Sequence, residues 1–128
     1  MESRLVPLPF KFNQMKFTTH NTNQNLNAGG TCLQGEIDIK YSTLVKLFGE
    51  HTEADGYKVD AEWIIEGEDG TIATIYNYKS GKNYNGKSGI ATTKITDWHI
   101  GGHNKKAVEL VNSILTENKK INSKAKIV

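Results

Sequence analysis

An α+β domain, a curved antiparallel β-sheet in the order β-α-β-β-β-α with helices on one face, is the fold this sequence predicts. Three observations predict it. Residues 57–79 alternate apolar and polar side chains on both sides of Gly67-Glu68-Asp69-Gly70, the pattern of a hairpin. Ala107, Leu110, Val111 and Ile114 recur at helical spacing near the end of the chain. The chain has 128 residues and no internal repeat, which suits one domain.

Hydrophobic residues make up 37% of the chain, and the shortfall sits at the two ends. Residues 1–30 carry Asn13, Asn21, Asn23, Asn25 and Asn27 and close on Ala28-Gly29-Gly30, so they read as a flexible arm. Phe10, Phe12, Met15 and Phe17 would be its anchors if it ordered against a partner subunit. Residues 31–118 form the single domain. Residues 119–128 read as a basic flexible tail, with Lys119, Lys120, Lys124 and Lys126 facing only Glu117.

Within the domain, Ile37, Ile39 and Tyr41 alternate with Glu36, Asp38 and Lys40, a half-buried strand. Ser42 is the expected cap of a short helix, 43–48, which Gly49 stops. A polar loop, 50–56, follows. Tyr57, Val59, Ala61, Trp63 and Ile65 form the buried face of the next strand, and residues 71–79 its hairpin partner. Residues 80–89 contain Gly81, Gly86 and Gly89 and read as a loop long enough for recognition. Residues 95–100 are the last strand; Asn104 then caps a helix running to about residue 117. A lone sheet leaves one face and an edge exposed, so a homo-oligomer is expected.

The formal charge of +2 and pI near 8.6 are too mild to argue for a nucleic-acid partner. Cys32 is the only cysteine, which excludes an intrachain disulfide and a multi-cysteine zinc site. No apolar run has the length of a membrane span and no secretory leader is legible, so the expected location is the cytoplasm, with no membrane partner.

Two constellations could carry chemistry. Trp98-His99-Ile100-Gly101-Gly102-His103-Asn104-Lys105 runs from a strand through paired glycines into a helix, where backbone N–H groups and the helix dipole suit an anion. The plainer reading is a tight turn with Trp98 in the core. The second set is Lys58, Trp63, Tyr76, Tyr78 and Lys79 on the hairpin, which suits base stacking with phosphate contacts, a protein interface, or sheet packing. Signs of catalysis are poor. Asp60 and Glu62 read as solvated acids, and His99 and His103 straddle a turn without a zinc-protease helix. No catalytic residue, metal or cofactor is expected.

Cys32-Leu33-Gln34-Gly35, Leu47-Phe48-Gly49, Gly56-Tyr57-Lys58-Val59-Asp60-Ala61-Glu62-Trp63, residues 69–79 and Asp97-Trp98-His99-Ile100-Gly101-Gly102 carry a resemblance. Together they resemble a family of small accessory proteins of phages and large DNA viruses, over residues 32–112. The resemblance carries over no activity and no site residue. It implies a viral protein in the host cytosol, and small accessory phage proteins often counter host defence. The resulting expectation is a non-catalytic counter-defence protein that sequesters a small nucleotide-type immune signal. Its ligand-binding residues would be Trp63, Tyr76, Lys79, Trp98, His99, Gly101, Gly102, His103 and Lys105, in a pocket between subunits. The alternatives are a protein-binding inhibitor of a host defence protein and a nucleic-acid-binding accessory domain.

Overall fold

The computed structural model describes residues 16–118 and 121–128. Among the described residues six antiparallel strands form one sheet: β1 (Phe17–Thr19), β2 (Cys32–Asp38), β3 (Glu62–Gly67), β4 (Ile72–Tyr76), β5 (Asp97–Gly102) and β6 (Lys126–Ile127). Their spatial order is β1-β3-β4-β5-β2-β6. Helix α1 (Tyr41–Phe48) follows β2, the single turn α2 (Lys82–Asn85) follows β4, and α3 (Lys106–Glu117) follows β5. The expected β-α-β-β-β-α order is therefore present as β2-α1-β3-β4-β5-α3. Among the described residues no helix is long and apolar enough to cross a membrane.

The hairpin forms where alternation is strictest. Trp63 lies opposite Ile75 and Ile65 opposite Ala73. The turn closes through Gly67 N–H to Thr71 O at 2.9 Å, and Asp69 Oδ1 accepts the Thr71 N–H at 3.0 Å. Gly70 takes the left-handed conformation, φ +87°, which glycine adopts without strain. Both strands are shorter than the alternation suggests. Asn77, fully buried, uses its Oδ1 to accept the N–H groups of Asp60 (2.8 Å) and Ala61 (3.1 Å), so a side chain replaces the ladder there. Burial still alternates through Val59 and Ala61, but Tyr57 is 57% exposed, not on the buried face.

Helices α1 and α3 cover one face. Their Leu44, Phe48, Val111 and Ile114 join Trp63, Ile65, Ile75, Trp98 and Ile100 in a single core. Helix α3 sits close because the sheet offers it glycines: a Cβ on Gly35, Gly67 or Gly102 would meet Val108, Leu110 or Ala107 respectively. The expected cap of α1 is corrected. The helix begins at Tyr41 after extended Lys40, with no capping side chain, and Ser42 lies inside the first turn. Gly49 stops it as expected, its N–H bonded to Val45 O at 2.8 Å. Asn104 does serve α3, its Oδ1 accepting the Lys106 N–H at 2.9 Å.

The described parts of the two polar ends are built into the sheet, which corrects their reading as an arm and a solvated tail. Strand β1 pairs with β3, and Phe17 meets Phe48 edge-on at 5.5 Å. Asn21 donates to the carbonyls of Phe48 (3.0 Å) and Glu50 (2.9 Å). At the other edge β6 pairs with β2, Ala125 is buried, and Asn112 brackets it by bonding its N–H and its carbonyl. The physical reason is that these asparagines satisfy backbone groups, a use that composition counts only as polarity. Phe10, Phe12 and Met15, like Lys119 and Lys120, lie outside the described residues. Both edges end in strands of two or three residues, which blunts edge-to-edge pairing and leaves the uncovered face as the argument for self-association.

Candidate functional site

The nine sequence-predicted ligand residues separate onto two faces of the sheet and its end. Trp63 and Trp98 are fully buried on the covered face and meet edge-on at 5.4 Å. Their indole N–H groups donate to Gly49 O (2.8 Å) and Ile39 O (3.0 Å). They are core residues, so a stacking role for them is corrected. Gly102 is a packing glycine beneath Ala107, and Gly101 lies on the uncovered face under Thr74 and the Tyr76 ring. Lys105 donates to Val128 O at 2.9 Å and to Gln34 O at 3.4 Å, tying the C-terminal strand down. His103 lines a separate cavity of about 210 Å³ with Asp69, Thr71, Asn104 and Lys106. An acid in that wall opposes the expected anion.

Tyr76, His99 and Lys79 do come together, with partners from the loop after β4. The Tyr76 and His99 rings meet edge-on at 5.5 Å, and Tyr78 stacks on His99 at 5.9 Å and 25°. The Lys79 ammonium lies 5.3 Å from the Tyr78 ring centre and 5.4 Å from that of Tyr84, cation–π distance for both. Tyr84 in turn meets Tyr57 at 5.4 Å, and Lys58 lies 6.0 Å over Tyr57. The result is a strip, Tyr57–Tyr84–Lys79–Tyr78–His99, with its three tyrosines exposed.

The loop holding this strip is anchored from below. Asn77 donates to Asp60 Oδ1 at 2.8 Å and to Ser80 Oγ at 3.3 Å. Asp60 Oδ2 accepts the Asn83 N–H at 3.1 Å, at the first turn of α2. Asp60 is thus a structural acid, which corrects its reading as a solvated one. Lys79 itself has φ +60°, a conformation costly for a residue with a Cβ. Its backbone is held on both sides: its N–H reaches Lys58 O at 2.7 Å, and its carbonyl accepts from Asn85 Nδ2 at 2.8 Å.

Charge is distributed unevenly around the strip. Residues 70–96 carry Lys79, Lys82, Lys87 and Lys94 and no acid. Beyond His99 the uncovered face carries both signs, with Glu36 opposite Lys126. Glu62, Tyr76, His99 and Glu36 stand directly opposite one another across four strands, and Asp38 faces Asp97. Burial, and then the charge of Asp55, push the Glu62 carboxyl above its usual range. Burial, with Glu62 next, raises the Tyr76 phenol. Asp55 itself is held below the usual carboxylate range, first by the Tyr57 N–H it accepts at 2.8 Å.

Sequence reasoning missed Tyr84 and assigned Tyr57 to the core. The acid-free stretch from residue 70 to 96, with its four lysines, is the sequence feature that could have marked this segment. Among the described residues no group of three or more His, Cys, Asp or Glu side chains is placed to hold a metal ion. Comparison of the chain with protein-family models, with curated proteins and with solved structures gives no match.

Proposed function

We propose that this chain is a non-catalytic binding protein that takes a small nucleotide-type ligand on the Tyr57–Tyr84–Lys79–Tyr78–His99 strip. The observation that carries the reading is Lys79: a strained, left-handed residue whose ammonium sits between two exposed tyrosine rings. Backbone strain kept at a non-glycine residue points to a use for its side chain. Exposed rings offer stacking surfaces for a base, and lysines among them offer contacts for its phosphate. The resemblance to viral accessory proteins supplies the biological setting, sequestration of a nucleotide signal that serves host defence.

The test is to incubate the purified protein with infected-cell extract, reisolate it, denature it by heat and identify released small molecules by mass spectrometry. A nucleotide released from the wild type and not from Lys79→Gly is the expected result. Release of none, or equal release from both, rejects the site. The second reading, a protein-binding inhibitor, is favoured by one feature: Leu33, Ile127 and Val128 are exposed apolar residues near one sheet edge. Its sign would be host-protein capture that Leu33→Ser abolishes and Lys79→Gly leaves intact.

A further inference from the structure

We infer that the ligand is a dinucleoside phosphate, two nucleobases joined through phosphodiester linkage, with one base at each end of the strip and a phosphate at Lys79. This rests on the nucleotide reading and adds the ligand's size.

The strip has two aromatic stations, not one. Tyr57 and Tyr84 form the first, Tyr78 and His99 the second, and the Lys79 ammonium is within cation–π distance of a ring from each. A ligand with one base fills one station and leaves the other wet. A ligand with two bases fills both and places its linking phosphate beside the ammonium between them.

Charge sets the upper limit. Asp55 lies against Tyr57 at one end, and its carboxyl is held ionised by backbone N–H groups. At the second station His99 has Glu36 directly opposite and Asp97 two residues before it on β5, and Lys126 of β6 lies opposite Glu36. Each station therefore has an acid beside it, and Lys79 is the cation the two share. One cation shared by two stations suits a single linking phosphate better than a polymer's series of them.

The experiment is calorimetric titration of the full chain in about 0.1 M salt with four adenine probes: AMP, the linear dinucleoside monophosphate ApA, cyclic di-AMP and decaadenylate, repeated with the guanine counterparts. Linear or cyclic dinucleotide should bind about tenfold or more tightly than the mononucleotide, because a second base is stacked. Decaadenylate should bind no more tightly per site than ApA. Tyr57→Ala and Tyr78→Ala, both exposed and checked for folding by thermal melting, should each bring the dinucleotide down to mononucleotide affinity. Equal affinity for AMP and both dinucleotides overturns the two-station inference and leaves the nucleotide reading standing. Affinity that climbs with strand length also overturns it, in favour of a single-strand binder. Absence of binding by every probe overturns the nucleotide reading itself.

Discussion

The two faces of the sheet are drawn from the same strands, alternating residue by residue, and have opposite characters. On the covered face lie Trp63, Ile65, Ala73, Ile75, Trp98 and Ile100, all essentially inaccessible. The uncovered face carries Glu62, Tyr76, His99 and Glu36, flanked by exposed Tyr78. Both faces hold aromatic rings, but the tryptophans serve packing and the tyrosines remain available. The difference teaches that ring chemistry is assigned by what lies above the sheet. Where α1 and α3 cover it, a ring is worth its burial; where no described element does, a ring can act on another molecule.

The strongest way to break this comparison is to truncate one ring on each face. Trp98→Ala should lose about 3–5 kcal/mol in urea unfolding, a large share of a small domain's stability, through the cavity and the orphaned Ile39 carbonyl. Tyr78→Ala should change stability by less than about 1 kcal/mol. Equal losses would mean that the faces do not differ.

Next in size is the anchor beneath the strip. Asn77→Ala leaves the buried N–H of Ala61 and that of Asp60 without their acceptor, a cost of about 2–3 kcal/mol. It should also release residues 80–89, which faster amide exchange in that loop would reveal. Exchange unchanged there would show that the loop is held by something else.

Glycines sharpen the comparison further. Gly102→Ala drives a methyl into Ala107 of α3 and should destabilise by about 1–3 kcal/mol. Lys79→Gly removes a left-handed strain at the strip and should stay within about 1 kcal/mol of the wild type while losing ligand. A severe destabilisation by the latter would make Lys79 a structural residue.

The smallest effect is that of pH on the uncovered face. The Glu62 carboxyl is raised in the folded state, so folding takes up a proton between the ordinary glutamate range and the raised value. Its contribution to stability is therefore largest at low pH and declines as pH rises through that window. Glu62→Gln should flatten that decline in unfolding curves measured across the window. A decline left unchanged would place the titrating group elsewhere.

How much was legible in the sequence follows the range of the interactions involved. The hairpin, the stop of α1 at Gly49 and the apolar face of α3 depend on neighbours within a few residues, and periodicity and turn chemistry identify them. The edge strands could not be read this way. Phe17–Thr19 and Lys126–Ile127 acquire strand structure only by pairing with β3 and β2, and Asn21 and Asn112 secure their surroundings by bonds to distant carbonyls and amides.

The candidate site divides in the same way. Tyr76, His99 and Lys79 were recognisable as ring and charge chemistry from their types alone. Which rings face solvent was not, because alternation sorts the residues of one strand but fixes neither the register that sets Trp63 opposite Ile75 nor which face the helices cover. Tyr57 and Tyr84 are separated by a strand, a turn and another strand in the chain, yet meet at 5.4 Å. By itself the sequence determined the hairpin, the helix faces and the chemical types. Only the tertiary structure decided which side the helices cover and which distant rings share a surface, because both depend on packing between segments far apart in the chain.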